Sequence, residues 1–365
     1  MNEMSPVHGP DATPSSPLPR LRAEWLRGDQ RLPGPASSTP ATRLGLVAYG
    51  TPAPGASPTT FTPIAADLLD GAAAAGLAWH GHLPLEAGST GQVRWQRDAQ
   101  WLFGAIDLDE AGGQGDLAAL AQRAYRDLFD TLRLGGRPHL LRVWNYVPHI
   151  NADGGGLERY RQFNAGRQQA FLDAGQAAFE GAPAACALGT RRGPLSVRFL
   201  AGLKPAVPLE NPRQVSAYHY PNAYGPRSPT FSRAALIDVG ADTLALEISG
   251  TASIIGHTTV HVGDVEEQAR ETLRNLQAVV AAACARSSAA FTLAELDTVI
   301  YVRHAKDAPL VRRVLAQALG EHAPFLRRAA WVDADICRAD LLVEIEAHGF
   351  APGRLVSSPG PHGSR

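Results

Sequence analysis

Cysteine and methionine are scarce in this sequence, and the cysteines form no recognisable site. The 365 residues include 3 cysteines and 2 methionines. Cys186, Cys284 and Cys337 lie far apart, without the CxxC or Cys/His spacing of a zinc site. The 12 histidines include no HExxH motif. We therefore expect no metal site and a reducing, cytoplasmic location.

Basic clusters, targeting segments and long apolar runs are also missing. Lys and Arg number 34 against 35 Asp and Glu, and no basic tract is longer than Arg191-Arg192 or Arg327-Arg328. Because a nucleic-acid-binding face needs clustered positive charge, we expect no nucleic-acid partner. The N-terminal segment lacks the regions of a signal peptide, and no apolar run is long enough to predict a membrane span. No GxGxxG or Walker motif is present, so no cofactor is expected and a small-molecule substrate is favoured.

Pro, Ser and Gly are concentrated at the two ends of the chain, which predicts a division into four regions. Residues 1–42 are predicted to be a mobile lead-in and residues 349–365 a disordered tail. Between them, a segment rich in Gly, Pro and Ala interrupts the periodic pattern near residues 181–193. We therefore predict an N-terminal α+β domain over 43–188 and a C-terminal domain over 189–348.

Short β-like runs alternate with longer amphipathic segments along both halves. This order predicts an α+β fold with mixed sheets and with helices packed on one face. The clearest helix is predicted over 265–285 and the clearest strand over 140–147. Further helices are predicted over 21–26, 117–134, 157–180 and 309–319, and further strands over 195–203, 217–220, 234–239, 244–249, 296–302, 329–336 and 341–347.

Two carboxylates stand out in the last predicted strand. Glu344 and Glu346 are two residues apart, so their side chains project from the same face of the strand. Val343 and Ile345 flank Glu344, and an apolar pocket there would raise the pKa of its carboxyl and make it a proton donor at neutral pH. The alternative is a pair of solvated carboxylates at a sheet edge.

One helix face offers polar groups for an anionic ligand. Tyr160, Asn164 and Arg167 are spaced so that they share one face of the helix predicted over 157–180. A tyrosine hydroxyl and a guanidinium on one face are suited to a carboxylate. The alternative is an ordinary solvated helix face.

Two further arginines and one tyrosine are candidates that periodicity alone does not decide. Arg142 and Arg303 are charges within β-like runs, where each needs an ion-pair partner or a ligand. Tyr220 offers a hydroxyl to a carboxylate or packs as an aromatic core residue. For each of the three, the structural and the ligand-binding interpretations stay open.

Four segments of the C-terminal half follow the order of motifs of a known family: residues 248–253, 263–280, 299–303 and 342–347. In these segments the chain resembles the YjgF/RidA family, which implies a YjgF-like C-terminal domain. RidA-type imine deaminases grip a substrate carboxylate with an arginine on the penultimate strand. Ala329 stands at that position here, so imine deamination is not expected.

Three more segments, residues 142–151, 157–167 and 334–346, narrow the resemblance. Together they are similar to the chorismatases, enzymes that cleave the enolpyruvyl ether of chorismate. The resemblance implies an enzyme built from two YjgF-like, chorismate-mutase-like domains that takes chorismate as its substrate. It places the family's catalytic acid on Glu344 and leaves Glu346 a secondary candidate.

Chorismate carries two carboxylates, which require separate arginine and hydroxyl donors. With the family resemblance, the residues predicted to bind the substrate are Arg142, Tyr160, Arg167, Tyr220 and Arg303.

YjgF relatives are trimers with sites between subunits. We therefore expect either a homotrimer or a monomer whose two domains are related by pseudo-symmetry.

Two positions bear on the product. As the resemblance implies, family members that only hydrolyse chorismate tend to carry Ala at both positions, whereas those that form 3-hydroxybenzoate carry Gly and Cys. Here the residues are Gly250 and Cys337, which predicts pyruvate and 3-hydroxybenzoate as products and leaves 4-hydroxybenzoate open. A β-bulge glycine and an inert buried thiol are the structural alternatives. The functional alternatives are a hydrolase that yields a dihydroxycyclohexadiene acid and a YjgF-like binding protein without turnover.

Overall fold

The computed structural model describes residues 21–27, 42–50, 62–110 and 116–356. Most of the predicted lead-in, residues 1–20 and 28–41, lies outside the described residues, as does the end of the predicted tail beyond residue 356. Within the described ranges, no helix combines the length and the hydropathy needed to span a membrane.

The described chain is rich in strands, with a small number of helices. The helices are α1 (Leu117–Gly135), α2 (Arg159–Asp173), α3 (Val265–Ala285), α4 (Ala308–Leu319) and α5 (Pro324–Arg327). The strands are β1 (Arg22–Arg27), β2 (Arg43–Gly50), β3 (Ala74–His80), β4 (Glu86–Thr90), β5 (Val93–Arg97), β6 (Trp101–Leu108), β7 (His139–Pro148), β8 (Ala184–Thr190), β9 (Leu195–Gly202), β10 (Val207–Leu209), β11 (Ala234–Asp238), β12 (Thr243–Ala252), β13 (Ile254–Ile255), β14 (Thr258–Thr259), β15 (Asp297–Val302), β16 (Ala329–Asp333), β17 (Asp335–Ile336) and β18 (Val343–Pro352).

Two large mixed sheets organise the fold. A seven-stranded sheet has the order β17-β8-β7-β9-β6-β5-β4, and a six-stranded sheet has the order β10-β11-β12-β18-β15-β16. Each contains one parallel pair, β7 with β8 and β15 with β16, among antiparallel neighbours. A three-stranded sheet, β1-β3-β2, and the β13-β14 hairpin complete the topology. The predicted α+β class is confirmed.

The core is divided into three layers of apolar side chains. One cluster joins α1 and α2 to one face of the seven-stranded sheet, and a second joins α3 and α4 to one face of the six-stranded sheet. The third cluster takes side chains from the opposite faces of both large sheets and from β1, β2 and β3. The helices therefore lie on one face of each large sheet, as predicted, and the sheets face each other across a shared core.

Sequence signals at the ends of the long helices match their observed bounds. The side chain of Asp116 accepts a hydrogen bond from the backbone N–H of Ala119 at the start of α1, and Gly136 ends that helix in the left-handed conformation. Asp264 caps α3 in the same way, through the N–H of Glu267. The apolar stripes predicted for both helices are buried.

The change from one sheet to the other comes later than the boundary predicted at residues 188 and 189. β8 and β9, the strands on either side of that boundary, both belong to the seven-stranded sheet. The six-stranded sheet begins only at β10. β17 then returns to the first sheet, where Asp335 pairs with Gly189. The chain after residue 330 therefore contributes to both sheets and brings their ends together.

Two short segments differ from their predicted structure. Residues 21–26 form β1 instead of a helix, because Leu21, Ala23 and Trp25 alternate with exposed residues and the strand pairs with β3. Residues Ala217–His219 form a 3₁₀ turn instead of a strand, with the N–H of His219 bonded to the carbonyl of Ser216.

Two predicted ends are also wrong. The helix predicted over 157–180 stops at Asp173, because Gly175 takes the left-handed conformation that terminates helices. The chain after Gly349 was predicted to be disordered. In the structure β18 continues to Pro352, which pairs with Thr243 of β12.

Candidate active site

A cavity of about 350 Å³ opens where β18 of the six-stranded sheet meets the β17 end of the seven-stranded sheet. Its walls come from the start of α2, the 3₁₀ turns after β10, β12, the turn between β17 and β18, and β18 itself. The predicted site residues that line it are Tyr160, Tyr220, Gly250, Cys337 and Glu344. The volume lies within the range usual for small-molecule sites.

Glu344 is a buried carboxyl on a central strand. Glu344 lies on β18 between Ala252 of β12 and Tyr301 of β15, and only 4% of its surface is exposed. Burial raises the pKa of Glu344 to about 8, and the negative charge of Glu346 adds to the effect. The positive charges of Arg142, Arg233 and Arg303 offset only part of this rise. At neutral pH the carboxyl therefore holds a proton that it can donate.

Glu346 occupies different surroundings although it shares the strand face. Its carboxylate accepts hydrogen bonds from Arg142 and, at 2.8 Å, from the hydroxyl of Tyr301. The hydroxyl of Tyr301 also lies 2.9 Å from the hydroxyl of Tyr49 and 3.0 Å from that of Tyr146. Glu346 does not line the 350 Å³ cavity. Its partners place it in a buried polar network beside the proton donor.

Gly250 is placed where only a residue without a side chain leaves the carboxyl of Glu344 undisturbed. It lies in an irregular stretch of β12, where the pairing with β18 shifts between Ile248 and Thr251. A Cβ atom at Gly250 would lie 1.9 Å from Oε1 of Glu344. Gly250 therefore lies at a strand irregularity and also allows the backbone to approach the acid closely.

Cys337 lies in the turn that connects β17 to β18, and its side chain lines the cavity with Glu344. The turn is closed by a hydrogen bond of 3.1 Å from the N–H of Leu341 to the carbonyl of Arg338. Burial, and next the negative charge of Glu344, raise the pKa of the Cys337 thiol to about 12. The residue therefore presents a neutral thiol to the cavity and no thiolate.

Both predicted tyrosines reach the cavity. Burial raises the pKa of Tyr160, which shares a hydrogen bond with Asn164 one turn along α2. The hydroxyl of Tyr220 accepts a hydrogen bond of 2.8 Å from Nη2 of Arg233. Each ring therefore offers a fixed hydroxyl to a bound molecule.

Three arginines that were not singled out in the sequence line the cavity. Arg233 is 4% exposed and also donates to the carbonyl of Val215, at 2.8 Å. The guanidinium of Arg338 stacks 4.1 Å from the ring centre of Tyr224 and donates to the carbonyl of His257. Arg161 completes the set. Arg233 and Arg338 make their part of the cavity suitable for an anion, whereas Arg161 is paired with Glu158, which also lines the cavity.

The three predicted arginines lie elsewhere. Arg142 pairs with Glu346 in the network beside the cavity. Arg167 packs with its guanidinium 5.2 Å from the ring centre of Tyr125, within the core under α2. Arg303 uses its guanidinium to bind backbone and side-chain oxygens of nearby loops. None of the three lines the cavity, and their contact with substrate stays a prediction.

The sequence resembles known proteins over most of its length. The model of a family described as chorismatase FkbO/Hyg5-like, N-terminal, matches residues 78–201. A chorismatase of Streptomyces rapamycinicus is 41% identical over 276 residues, which cover 74% of this chain and 80% of that protein. A 3-hydroxybenzoate synthase of Streptomyces hygroscopicus is 36% identical over 270 residues, or 72% of this chain and 77% of that protein. A crystal structure of a chorismatase, 34% identical, covers 91% of this chain and 99% of its own, with a TM-score of 0.74.

Proposed function

The chain belongs to the chorismatase family, and we propose that it cleaves the enolpyruvyl ether of chorismate to pyruvate and 3-hydroxybenzoate with Glu344 as the proton donor. One observation carries the proposal. A carboxyl with a pKa of about 8 lies in a cavity that arginines also line, and such a group is protonated when a dianionic substrate binds at neutral pH.

The proton donor acts on the vinyl group of the substrate. When the methylene carbon of the enolpyruvyl group accepts a proton, an oxocarbenium ion forms and the bond between the ring carbon and the ether oxygen weakens. Water at neutral pH is too weak an acid for this step, so a positioned donor is needed. The raised pKa of Glu344 supports this role, because a carboxyl at its ordinary pKa would already be ionised.

The arginines and tyrosines supply what the two substrate carboxylates require. Arg233 is fixed by its bonds to Val215 and Tyr220, and Arg338 by the carbonyl of His257. Groups that are already fixed lose little conformational freedom when a ligand binds. We assign them to the carboxylates in place of Arg142, Arg167 and Arg303.

The product follows from what attacks the activated ring carbon. If the ring hydroxyl oxygen attacks the neighbouring carbon that carries the protonated enolpyruvyl group, the ether oxygen leaves with pyruvate and the hydroxyl proton passes to the Glu344 carboxylate. The bond between the attacking oxygen and its original ring carbon then breaks as this oxygen takes up a proton, and loss of a ring proton makes the ring aromatic. No water is consumed, because 3-hydroxybenzoic and pyruvic acids together contain the atoms of chorismic acid. Gly250 and Cys337 support this route, because both line the cavity and they are the pair that the family resemblance associates with 3-hydroxybenzoate.

Incubation of the purified protein with chorismate tests the proposal directly. Pyruvate is measured with a coupled dehydrogenase, and the second product is identified by mass and by ultraviolet absorbance. We expect pyruvate and 3-hydroxybenzoate in equal amounts. The appearance of the dihydroxycyclohexadiene acid would instead assign the protein to hydrolysis, and the absence of pyruvate would refute the activity.

The variant Glu344→Gln tests the role of the acid. The amide keeps the shape of the side chain but has no acidic proton, so we expect turnover to fall by about 100- to 10,000-fold. Glu321→Gln, at an exposed position outside the cavity, is the matched control and should keep wild-type turnover. Pyruvate release near the wild-type rate from Glu344→Gln would exclude this residue as the donor.

A further inference from the structure

Arg303 is bound almost entirely to the turn that carries Cys337. It follows the last residue of β15 and is 8% exposed. Its Nε donates to the carbonyl of Leu341 at 2.7 Å. Its Nη2 donates to the carbonyl of Ile336 at 3.1 Å and to that of Arg338 at 2.8 Å. A single nitrogen thus holds the carbonyl groups on both sides of Cys337.

The remaining donors of Arg303 are engaged as well. Nη1 donates to the carboxylate of Asp335 at 2.7 Å and to the side-chain oxygen of Asn151 at 3.1 Å. A guanidinium has five N–H groups in a fixed planar arrangement, and five acceptors surround this one. No N–H of Arg303 is left for a substrate carboxylate.

Arg303 also connects the turn to the part of the cavity wall at the start of α2. Asn151, which accepts from Nη1, donates through its own amide to Glu158 at 3.3 Å. Glu158 lines the cavity and pairs with Arg161 at 3.3 Å. The turn that carries Cys337 and the residue before α2 are therefore linked through one guanidinium.

We infer that Arg303 is a positioning residue that determines the product, because it fixes Cys337 relative to Glu344 and to the cavity wall at the start of α2. The inference rests on the proposed function. Internal attack and attack by water compete for the same activated carbon, and a displacement of about 1 Å is enough to change a rate by roughly 100-fold. The residue that fixes the turn therefore governs which attack is faster.

The variant Arg303→Lys tests this role. Lysine keeps a positive charge, but its single ammonium has three N–H groups and cannot bind all five acceptors that surround Arg303. We expect the share of pyruvate-releasing turnovers that yield any product other than 3-hydroxybenzoate to rise roughly tenfold. The KM for chorismate should change far less, because the guanidinium does not touch the substrate.

Arg198→Lys is the matched control. Arg198 is fully buried on β9, pairs with Asp107 at 2.9 Å and donates to the carbonyl of Ile106, yet it does not line the cavity. The change should lower the melting temperature without altering the product ratio. Asn151→Ala is a milder second variant, since it removes the link to Glu158 and leaves the three carbonyl bonds of Arg303 in place. We expect it to alter the product ratio in the same direction as Arg303→Lys but less.

The outcomes separate this inference from the function on which it rests. A wild-type protein that releases no pyruvate refutes the function. Normal wild-type turnover together with an unchanged product ratio in Arg303→Lys and Asn151→Ala refutes the positioning role. A large rise in KM with an unchanged ratio also refutes it, and would instead indicate that Arg303 binds substrate.

Discussion

The backbone of Gly250 lies so close to Glu344 that a Cβ atom there would be 1.9 Å from Oε1 of the carboxyl. Contacts of that length do not occur between non-bonded heavy atoms, so the glycine and the orientation of the acid depend on each other. The same added atom would lie 3.3 Å from Cβ of Cys186 on β8. The proton donor therefore lies between both large sheets, and residues far apart in the chain set its surroundings.

The first prediction concerns pH. An acid catalyst works while it is protonated, so kcat should be constant at low pH and fall as the pH rises through about 8, the pKa of Glu344. Glu346→Gln removes a negative charge that raises this pKa and leaves Arg142 free to lower it further. The descending limb should therefore move to lower pH in that variant. Glu247, whose Oε2 lies 3.7 Å from Nε of Arg142, stays in place, and burial raises the pKa of this side chain to about 8 as well.

The measurement is the pH dependence of kcat for the wild type, Glu346→Gln and the exposed control Glu321→Gln. The control should keep the wild-type limb. An unshifted limb in Glu346→Gln would show that Glu346 does not influence the donor, whereas a wild-type limb near the ordinary pKa of a carboxyl would contradict burial as the cause of the raised value.

The cavity shows which parts of the site the sequence can predict. Glu344, Cys337 and Gly250 were found because they stand in or beside runs that resemble a family, and the structure brings all three to one cavity. Arg233 was missed because it lies in a loop before β11, where no periodicity marks it. Whether an arginine faces a cavity is decided by packing between segments that are distant in the chain. Arg142 was predicted to bind substrate but is paired with Glu247 and Glu346, which lie more than 100 residues away in the chain.

The same distinction explains the fold. The helix over 265–285 and the strand over 140–147 were predicted because each has its own apolar pattern, and both are confirmed. β1 was wrongly predicted as a helix, because an apolar pattern over six residues is too short to distinguish a helix from a strand. Its structure comes from pairing with β3, about fifty residues later in the chain, which local propensity does not report.

The second prediction concerns stability. Glu344 has a pKa of about 8 in the folded protein against an ordinary value of 4.5, so the folded state binds the proton more tightly than the unfolded state. Between these two values the stability must fall as the pH rises. Glu344→Gln removes the ionisable group and should be more stable than the wild type above about pH 8, by on the order of 1 kcal/mol or more. Below about pH 4.5 the difference should vanish.

Urea unfolding of both proteins at acidic and alkaline pH measures the difference, with Glu321→Gln as the exposed control. The gain in stability should accompany the loss of turnover, because a buried proton donor is useful to the reaction and costly to the fold. A difference in stability that does not depend on pH would show that burial does not perturb this carboxyl.

The third prediction compares two arginines. Arg233→Ala should raise the KM for chorismate by about 10- to 100-fold with a smaller change in kcat, because its guanidinium is assigned to a carboxylate bound equally in the ground and transition states. Arg167→Ala should lower the melting temperature and leave KM unchanged, since Arg167 packs against Tyr125 and Phe171 outside the cavity. Steady-state kinetics and thermal unfolding of the two variants separate the roles. A raised KM in Arg167→Ala alone would restore the assignment made from the sequence.

The fourth prediction concerns the product and follows from the contact between Gly250 and Glu344. In Gly250→Ala the new methyl group must displace the carboxyl, so this variant alone should lose turnover. Cys337→Ala removes a sulfur atom that lines the same cavity and gives the displaced carboxyl room. The double variant should therefore release pyruvate faster than Gly250→Ala does, although neither substitution alone is expected to increase turnover.

The double variant should also make a different product. It carries the alanine pair that the family resemblance associates with hydrolysis, and the space beside the donor admits water to the activated carbon. A change of about 1.4 kcal/mol between the two competing barriers alters the product ratio tenfold, so a small displacement suffices to divert turnover to the dihydroxycyclohexadiene acid. Product analysis of the wild type, both single variants and the double variant measures this. If the double variant releases pyruvate and still forms only 3-hydroxybenzoate, the partition must be set by other residues of the cavity, for which Tyr160 and Arg338 are the nearest candidates on its walls.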